Sequence, residues 1–136
     1  MFVSLEKNVK DAFYDNYQLN ISPEKMHDLM ANARFLVTEG ATMASEAFVL
    51  GIPYLYLNPL KCGNIDYQCK CYPYRAFQTT DEKEVLGIVG RLMDTDTDRE
   101  AERFDVEKLT INPTAFLEWF VGHFPDSKHQ DYWPAP

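Results

Sequence analysis

The sequence predicts an α/β protein built on a parallel sheet. Three observations carry that expectation. Strand-like and helix-like segments follow the order strand–helix–strand–helix–strand–strand–helix, the pattern of repeated crossover units. The 136 residues are 46% hydrophobic, enough for one compact core and one domain. The segments are also separated by recognisable punctuation: helix caps, a terminating glycine and well-placed prolines.

Taken in order, residues 2–5 (Phe-Val-Ser-Leu) are short, apolar and β-capable, a candidate buried strand. Residues 7–20 are polar and read as a loop with at most a helical turn. Ser22-Pro23 supplies an N-cap followed by proline at the first helical position. Met26, Leu29, Met30 and Ala33 then recur at i, i+3, i+4 and i+7, one apolar helix face. Residues 35–37 form the next strand candidate. A second helix is expected over residues 42–50, with Met43, Ala47 and Leu50 on a stripe, stopped by Gly51 and followed by Pro53. Residues 54–57 are a third strand candidate, closed by Asn58-Pro59.

Residues 61–74 mix cysteines, tyrosines, a glycine and a proline without periodicity and read as a long loop. Residues 75–79 are a fourth strand candidate. Asp81 and Glu84 have capping-box spacing ahead of a helix carrying Val85, Leu86, Val89, Leu92 and Met93. The charged segment 98–108 reads as a surface helix. Asn112-Pro113 caps a last helix over residues 114–121, with Phe116, Leu117 and Phe120 on one side. Residues 1–122 are thus read as the domain, and residues 123–136 as an extended or disordered tail.

The net charge of −8 argues against a nucleic-acid partner, which a basic face would hold. No apolar run approaches the roughly 20 residues a membrane span requires. Residues 1–10 show no signal-peptide pattern. Three cysteines are an odd number and too few for a disulfide framework, so free thiols and a cytoplasmic location are expected.

The segment most informative about function is residues 35–53, Phe-Leu-Val-Thr-Glu-Gly-Ala-Thr-Met-Ala-Ser-Glu-Ala-Phe-Val-Leu-Gly-Ile-Pro. A buried strand delivers the chain to a small-residue turn at Glu39-Gly40-Ala41-Thr42, and the turn opens a helix. The helix end offers free N–H donors and a positive dipole, suited to a diphosphate. Glu46 sits one turn further on, where a carboxylate can accept the hydroxyls of a ribose. The same pattern also describes an ordinary strand–helix turn with a solvated Glu46.

The run Thr38-Glu-Gly-Ala-Thr-Met-Ala-Ser-Glu-Ala47, continuing through Leu50-Gly-Ile-Pro53, resembles the C-terminal Rossmann-like domain of GT-B proteins. The resemblance is to DUF354, an uncharacterised prokaryotic family related to UDP-N-acetylglucosamine 2-epimerases and the N-acetylglucosaminyltransferase of peptidoglycan synthesis. It extends more loosely over residues 22–93 and the helix at 114–117. The resemblance implies a three-layer α/β/α sheet forming part of a GT-B C-terminal domain, with a UDP-sugar as ligand. It also implies that Gly40, Ala41 and Thr42 contact phosphate and that Glu46 contacts ribose. Glu39, Met43, Asn58 and Arg75 complete the expected ligand-facing set. The epimerases carry a Ser-Gly-Gly turn and a second glutamate directly before the ribose-binding one. Here Ser45 stands in that place, which shifts the expectation from epimerisation to sugar transfer or binding. No cofactor is expected, and no residue pattern marks a catalytic base. A GT-B enzyme has a second domain, so the implied partner is a missing N-terminal half or a second copy. Dimerisation, or residues 61–74 and the tail, would then cover an open sheet edge.

Among the remaining residues, Cys62, Cys69 and Cys71 have C-x6-C-x-C spacing, unlike a zinc knuckle. Asn64, Asp66, Tyr67 and Tyr72 suit either a cover over a bound sugar or an ordered surface loop. His27 reads as a surface or boundary residue, and His123 and His129 have no partner in sequence. The acids at 94, 96, 98 and 100 lack the glycine and final glutamate of a calcium loop. Arg75 reads equally as a phosphate partner at the sheet's carboxyl edge or as a structural salt-bridge residue.

Overall fold

In the computed structural model, residues 16–95 and 112–129 are described, together with Met1, Val3, Asp98, Ala101, Arg103 and Val106. Three short strands, β1 (Leu36–Thr38), β2 (Tyr54–Tyr56) and β3 (Ala76–Gln78), form one parallel sheet in the order β1-β2-β3. The register aligns Leu36, Tyr54 and Ala76 in one row, Val37, Leu55 and Phe77 in the next, and Thr38, Tyr56 and Gln78 in the last. All three residues of the central strand are buried, which explains why it is apolar through its length rather than alternating.

Because side chains alternate along a strand, the two outer rows face one layer and the middle row the other. On the first face, Tyr54, Tyr56 and Ala76 pack with Ala44, Ala47 and Phe48 of α2 (Ala41–Val49) and Ile65 of α3 (Gly63–Cys71). On the second face, Leu55 packs with Ile88 and Leu92 of α4 (Glu82–Asp94), flanked by Phe77 and Val85. The result is a three-layer α/β/α sheet of Rossmann-like type, as the element order predicts. A proline-initiated 3-10 turn (Pro23–Lys25) leads into α1 (Met26–Ala31), whose Met30 is buried, and α1 packs on α2. The last α-helix among the described residues, α5 (Pro113–Gly122), is capped by the Asn112 side chain, whose Oδ1 accepts from the Thr114 and Ala115 N–H groups.

Several expectations are corrected. Residues 61–74 are not a long loop, since α3 occupies most of them and lies against the sheet face rather than along its edge. Its inward stripe, Ile65, Gln68, Cys69 and Tyr72, has helical spacing but includes an amide and a thiol, so no apolar period shows. The Tyr54 hydroxyl satisfies the buried amide, donating to Gln68 Oε1 at 2.8 Å. On α4 the buried stripe is completed by Ile88, while Leu86 and Met93 are exposed. The cap of α4 is half the expected box: Asp81 accepts from the Glu84 N–H, but the Glu84 carboxylate accepts from Thr79 Oγ1.

Residue 3 of the first strand candidate makes an isolated parallel bridge with Gln18, and residues 2, 4 and 5 lie outside the described residues. Most of segment 98–108 also lies outside them, yet Val106 is buried in the core on the α2 side rather than on the surface. The start of the expected tail is folded: Asp126–His129 form a 3-10 turn, and buried Ser127 donates to the Phe120 carbonyl at 2.7 Å. Residues 130–136 lie outside the described residues. No helix among the described residues is long and apolar enough to cross a membrane.

Candidate functional site

In a parallel sheet, every strand delivers its chain to the same edge, and ligands of open α/β sheets bind outside that carboxyl edge. Thr38 ends β1 there, and its Oγ1 accepts from the Gly40 N–H at 3.0 Å, which turns the chain into α2. Gly40 is the N-cap, in extended conformation, and contributes no side-chain cap. A Cβ added at Gly40 would meet Thr38 Oγ1 at 3.6 Å, an ordinary contact. Glycine therefore serves here to leave the helix end uncovered, not to relieve backbone strain. The first intrahelical bond runs from the Ala44 N–H to the Gly40 carbonyl at 3.1 Å. The N–H groups of Ala41, Thr42 and Met43 precede it and have no partner within the helix.

Asn58, just beyond β2, meets this turn from the neighbouring strand. Its Nδ2 donates to the Glu39 carbonyl at 3.2 Å, and its Oδ1 accepts from the Leu60 N–H at 3.0 Å. Gln78 at the end of β3 donates to the carbonyls of both Asn58 and Leu60, at 2.7 and 2.9 Å. Asn58 thus ties the carboxyl-edge loops together with its side chain already engaged. Gln78 belongs to the same lattice and had no motif to announce it.

Thr42 and Glu46, at i and i+4, share one face of α2. With His27, Ser45, Val49 and Leu50 they line a groove of about 370 Å³ between α1 and α2. Glu46 is half-exposed, and its Oε2 lies 3.4 Å from His27 Nε2. Ser45 turns to the other neighbour and accepts from Asn64 Nδ2 of α3 at 2.6 Å. Sequence reasoning placed His27 at the surface or boundary and Asn64 in a sugar cover or surface loop, and did not find the contacts they make with Glu46 and Ser45. Both contacts span 19 residues, and no local pattern encodes them.

Arg75 does not join this group. It directly precedes β3 and so stands at the amino edge, opposite the Gly40 turn. It is 1% exposed, its guanidinium 4.4 Å from the centre of the Phe48 ring and 4.9 Å from that of Tyr72. Its place is in the core rather than on a phosphate: the start of a parallel strand lies at the edge away from the helix amino ends. Of the residues expected to cover a sugar, Tyr72 is buried against Phe48, whereas Tyr67 is exposed. His123 is remote, its Nδ1 2.8 Å from the Trp119 carbonyl on α5.

The three thiols are free. Tyr56 Oη and Cys62 Sγ are 4.0 Å apart. Burial pushes the Cys69 thiol above its ordinary value. Burial, reinforced by Cys69 beside it, pushes the Tyr54 phenol upward as well. No group of three His, Cys, Asp or Glu among the described residues is placed to hold a metal ion.

Fold and site together define a class: a small Rossmann-like domain with an uncapped helix amino end at the carboxyl edge and a carboxylate one turn along the same helix. Comparison with protein-family models, curated proteins and solved structures finds no match to this chain.

Proposed function

We propose that the chain binds a nucleotide sugar of the UDP-sugar class and forms half of a glycosyltransferase-like site. The observation that carries this reading is the shared open face of Thr42 and Glu46 beside the uncapped start of α2. Four residues of helix separate the two along the axis by about 6 Å, a span suited to a diphosphate at the helix end and a ribose at the carboxylate. The N–H groups of Ala41, Thr42 and Met43 hold the diphosphate, and the Thr42 hydroxyl assists. As negative charge develops on the leaving diphosphate, these fixed donors and the helix dipole stabilise it. The acceptor and any catalytic base come from a second domain or a second copy of the chain.

Calorimetric titration with UDP, UDP-N-acetylglucosamine and a GDP-sugar tests this reading. Saturable binding that prefers the UDP compounds is expected. Glu46→Ala should weaken binding by about 1.5–3 kcal/mol, the range for hydrogen bonds to a charged group, without unfolding the chain. Absence of binding at millimolar ligand, or a Glu46→Ala variant that binds as the parent does, overturns it.

A second reading, an assembly fragment without an active site, draws on one observation. Val37, at the centre of β1, is 40% exposed, whereas its register partner Leu55 is fully buried. That leaves an apolar strip of the sheet uncovered beside α4. A monomer by light scattering counts against the assembly reading, and saturable UDP binding separates it from the first, because a fragment without an active site binds no nucleotide.

A further inference from the structure

The groove beside α2 holds a histidine that the nucleotide-sugar reading does not use. His27 is placed by the core. Three residues further along α1, on the same helix face, Met30 is buried, and α1 packs on α2. That contact turns His27 toward Glu46, with Nε2 and Oε2 3.4 Å apart. The separation is longer than the roughly 2.7–2.9 Å of a tight charge-assisted hydrogen bond. The two side chains are in contact without a tight bond, and the carboxylate is not closed off. The neighbouring polar side chain cannot take over this task, since Ser45 faces Asn64 on α3.

We propose that His27 is a positioning residue for a vicinal diol: it holds one oxygen of Glu46 so that the carboxylate is aligned to accept two adjacent ribose hydroxyls. This inference rests on the nucleotide-sugar reading and specifies how the ribose is selected. An ionised carboxylate only accepts, through two oxygens with lone pairs to spare. With Oε2 beside His27, Oε1 and a remaining lone pair of Oε2 are left for the ligand. Two hydroxyls side by side satisfy both, whereas a single hydroxyl leaves one acceptor without its donor. A site built to bond a hydroxyl discriminates strongly against the analogue that lacks it. A tethered glutamate also loses less side-chain freedom when the ligand arrives, and that ordering cost corresponds to roughly a threefold to tenfold change in affinity.

The test is calorimetry with UDP and 2′-deoxy-UDP on the parent, His27→Ala, His27→Gln and Glu46→Ala, each with a melting curve. The parent should prefer UDP by about tenfold or more. His27→Ala should lose roughly fivefold in UDP affinity and little for the deoxy compound, so that the preference narrows. His27→Gln, which keeps a donor, should recover most of it. The melting temperature should not move, because the His27 side chain is 63% exposed. Equal losses for both nucleotides, or unchanged affinity in His27→Ala while Glu46→Ala weakens binding, overturn the positioning role alone. A parent that binds no UDP overturns the nucleotide-sugar reading and this inference with it.

Discussion

The end of α2 gives a sharp test of how local backbone chemistry holds this fold. Beyond Val49, the Gly51 N–H donates to the Phe48 carbonyl at 3.1 Å, and the Ile52 N–H donates to the Ala47 carbonyl at 2.8 Å. These are the paired 5→2 and 6→1 bonds of a Schellman motif, and they require a left-handed residue between them. Gly51 fills that position with φ of 75°. The accompanying apolar contact is present too, because Ile52 and Ala47 are both buried in the same core cluster. Replacing Gly51 with alanine puts a Cβ on a left-handed backbone, at a cost of about 1–2 kcal/mol. Valine, branched at Cβ, should cost more. At about 3–5 °C per kcal/mol for a chain of this size, Gly51→Ala should lower the melting temperature by about 3–10 °C. Gly87→Ala is the matched control: Gly87 lies inside α4 with nothing within 4 Å of an added Cβ. There the better helix former should stabilise by about 0.5–1 kcal/mol. Thermal unfolding followed by circular dichroism, with urea titration to check that the slope is unchanged, measures both. A Gly51→Ala variant that melts at or above the parent refutes the cap argument, most decisively if Gly87→Ala behaves as expected.

Two further predictions concern the tyrosines and thiols behind the sheet. Tyr54→Phe should destabilise by about 1–3 kcal/mol, because it strands the buried Gln68 oxygen; an unchanged denaturation midpoint would show that water or a rotamer change replaces the bond. The same variant has a signature in pH. The folded phenol titrates above its ordinary value, so its share of stability is intact below about pH 10 and declines as pH rises toward the folded value. Tyr54→Phe should flatten that alkaline decline, and parallel pH profiles for the two proteins would contradict it. Among the thiols, exposed Cys71 should react first with a disulfide reagent near pH 8, and Cys69, half-buried and raised, should lag. Site-resolved mass spectrometry over the time course reads the order, and reversal would place Cys69 in a more open environment than the structure gives it.

What the sequence made legible was mostly what short-range chemistry dictates. The Asn112 and Asp81 caps, the Gly51 stop and the three apolar strands each follow from residues within about five positions of one another, where backbone geometry decides the outcome. Helix α3 escaped because its inward side is made acceptable by a distant group. Gln68 can be buried only because Tyr54, 14 residues earlier, offers it a hydroxyl. The choice of Ile88 over Leu86 and Met93 on α4 is of the same kind. Both stripes are apolar, and only the position of Leu55 beneath the helix selects between them. At the site, the Gly40 turn and Glu46 were readable as a strand–turn–helix unit, while the partners that fix them were not. His27, Asn64 and Gln78 arrive from other elements. Arg75 shows the opposite failure: it was read as the first residue of a strand at the carboxyl edge, whereas it precedes β3 and the direction of a parallel strand places it at the amino edge.

The partners of Glu46 also bear on what kind of chemistry the groove supports under the proposed reading. Of its six lining residues, only Glu46 and His27 carry ionisable side chains, and they lie beside each other. Ser45, directly before Glu46, carries no charge and is drawn to Asn64. Acid–base work on a sugar carbon needs a donor and an acceptor placed on the reacting atoms and separately poised. Under the proposed reading the carboxylate and imidazole, in mutual contact, serve to hold and orient the ribose. Thr42 and the helix N–H groups add anion stabilisation but no proton carrier. The groove's own residues therefore suit binding and leaving-group stabilisation. Under the same reading, the group that moves a proton during sugar transfer comes from a second domain or a second copy.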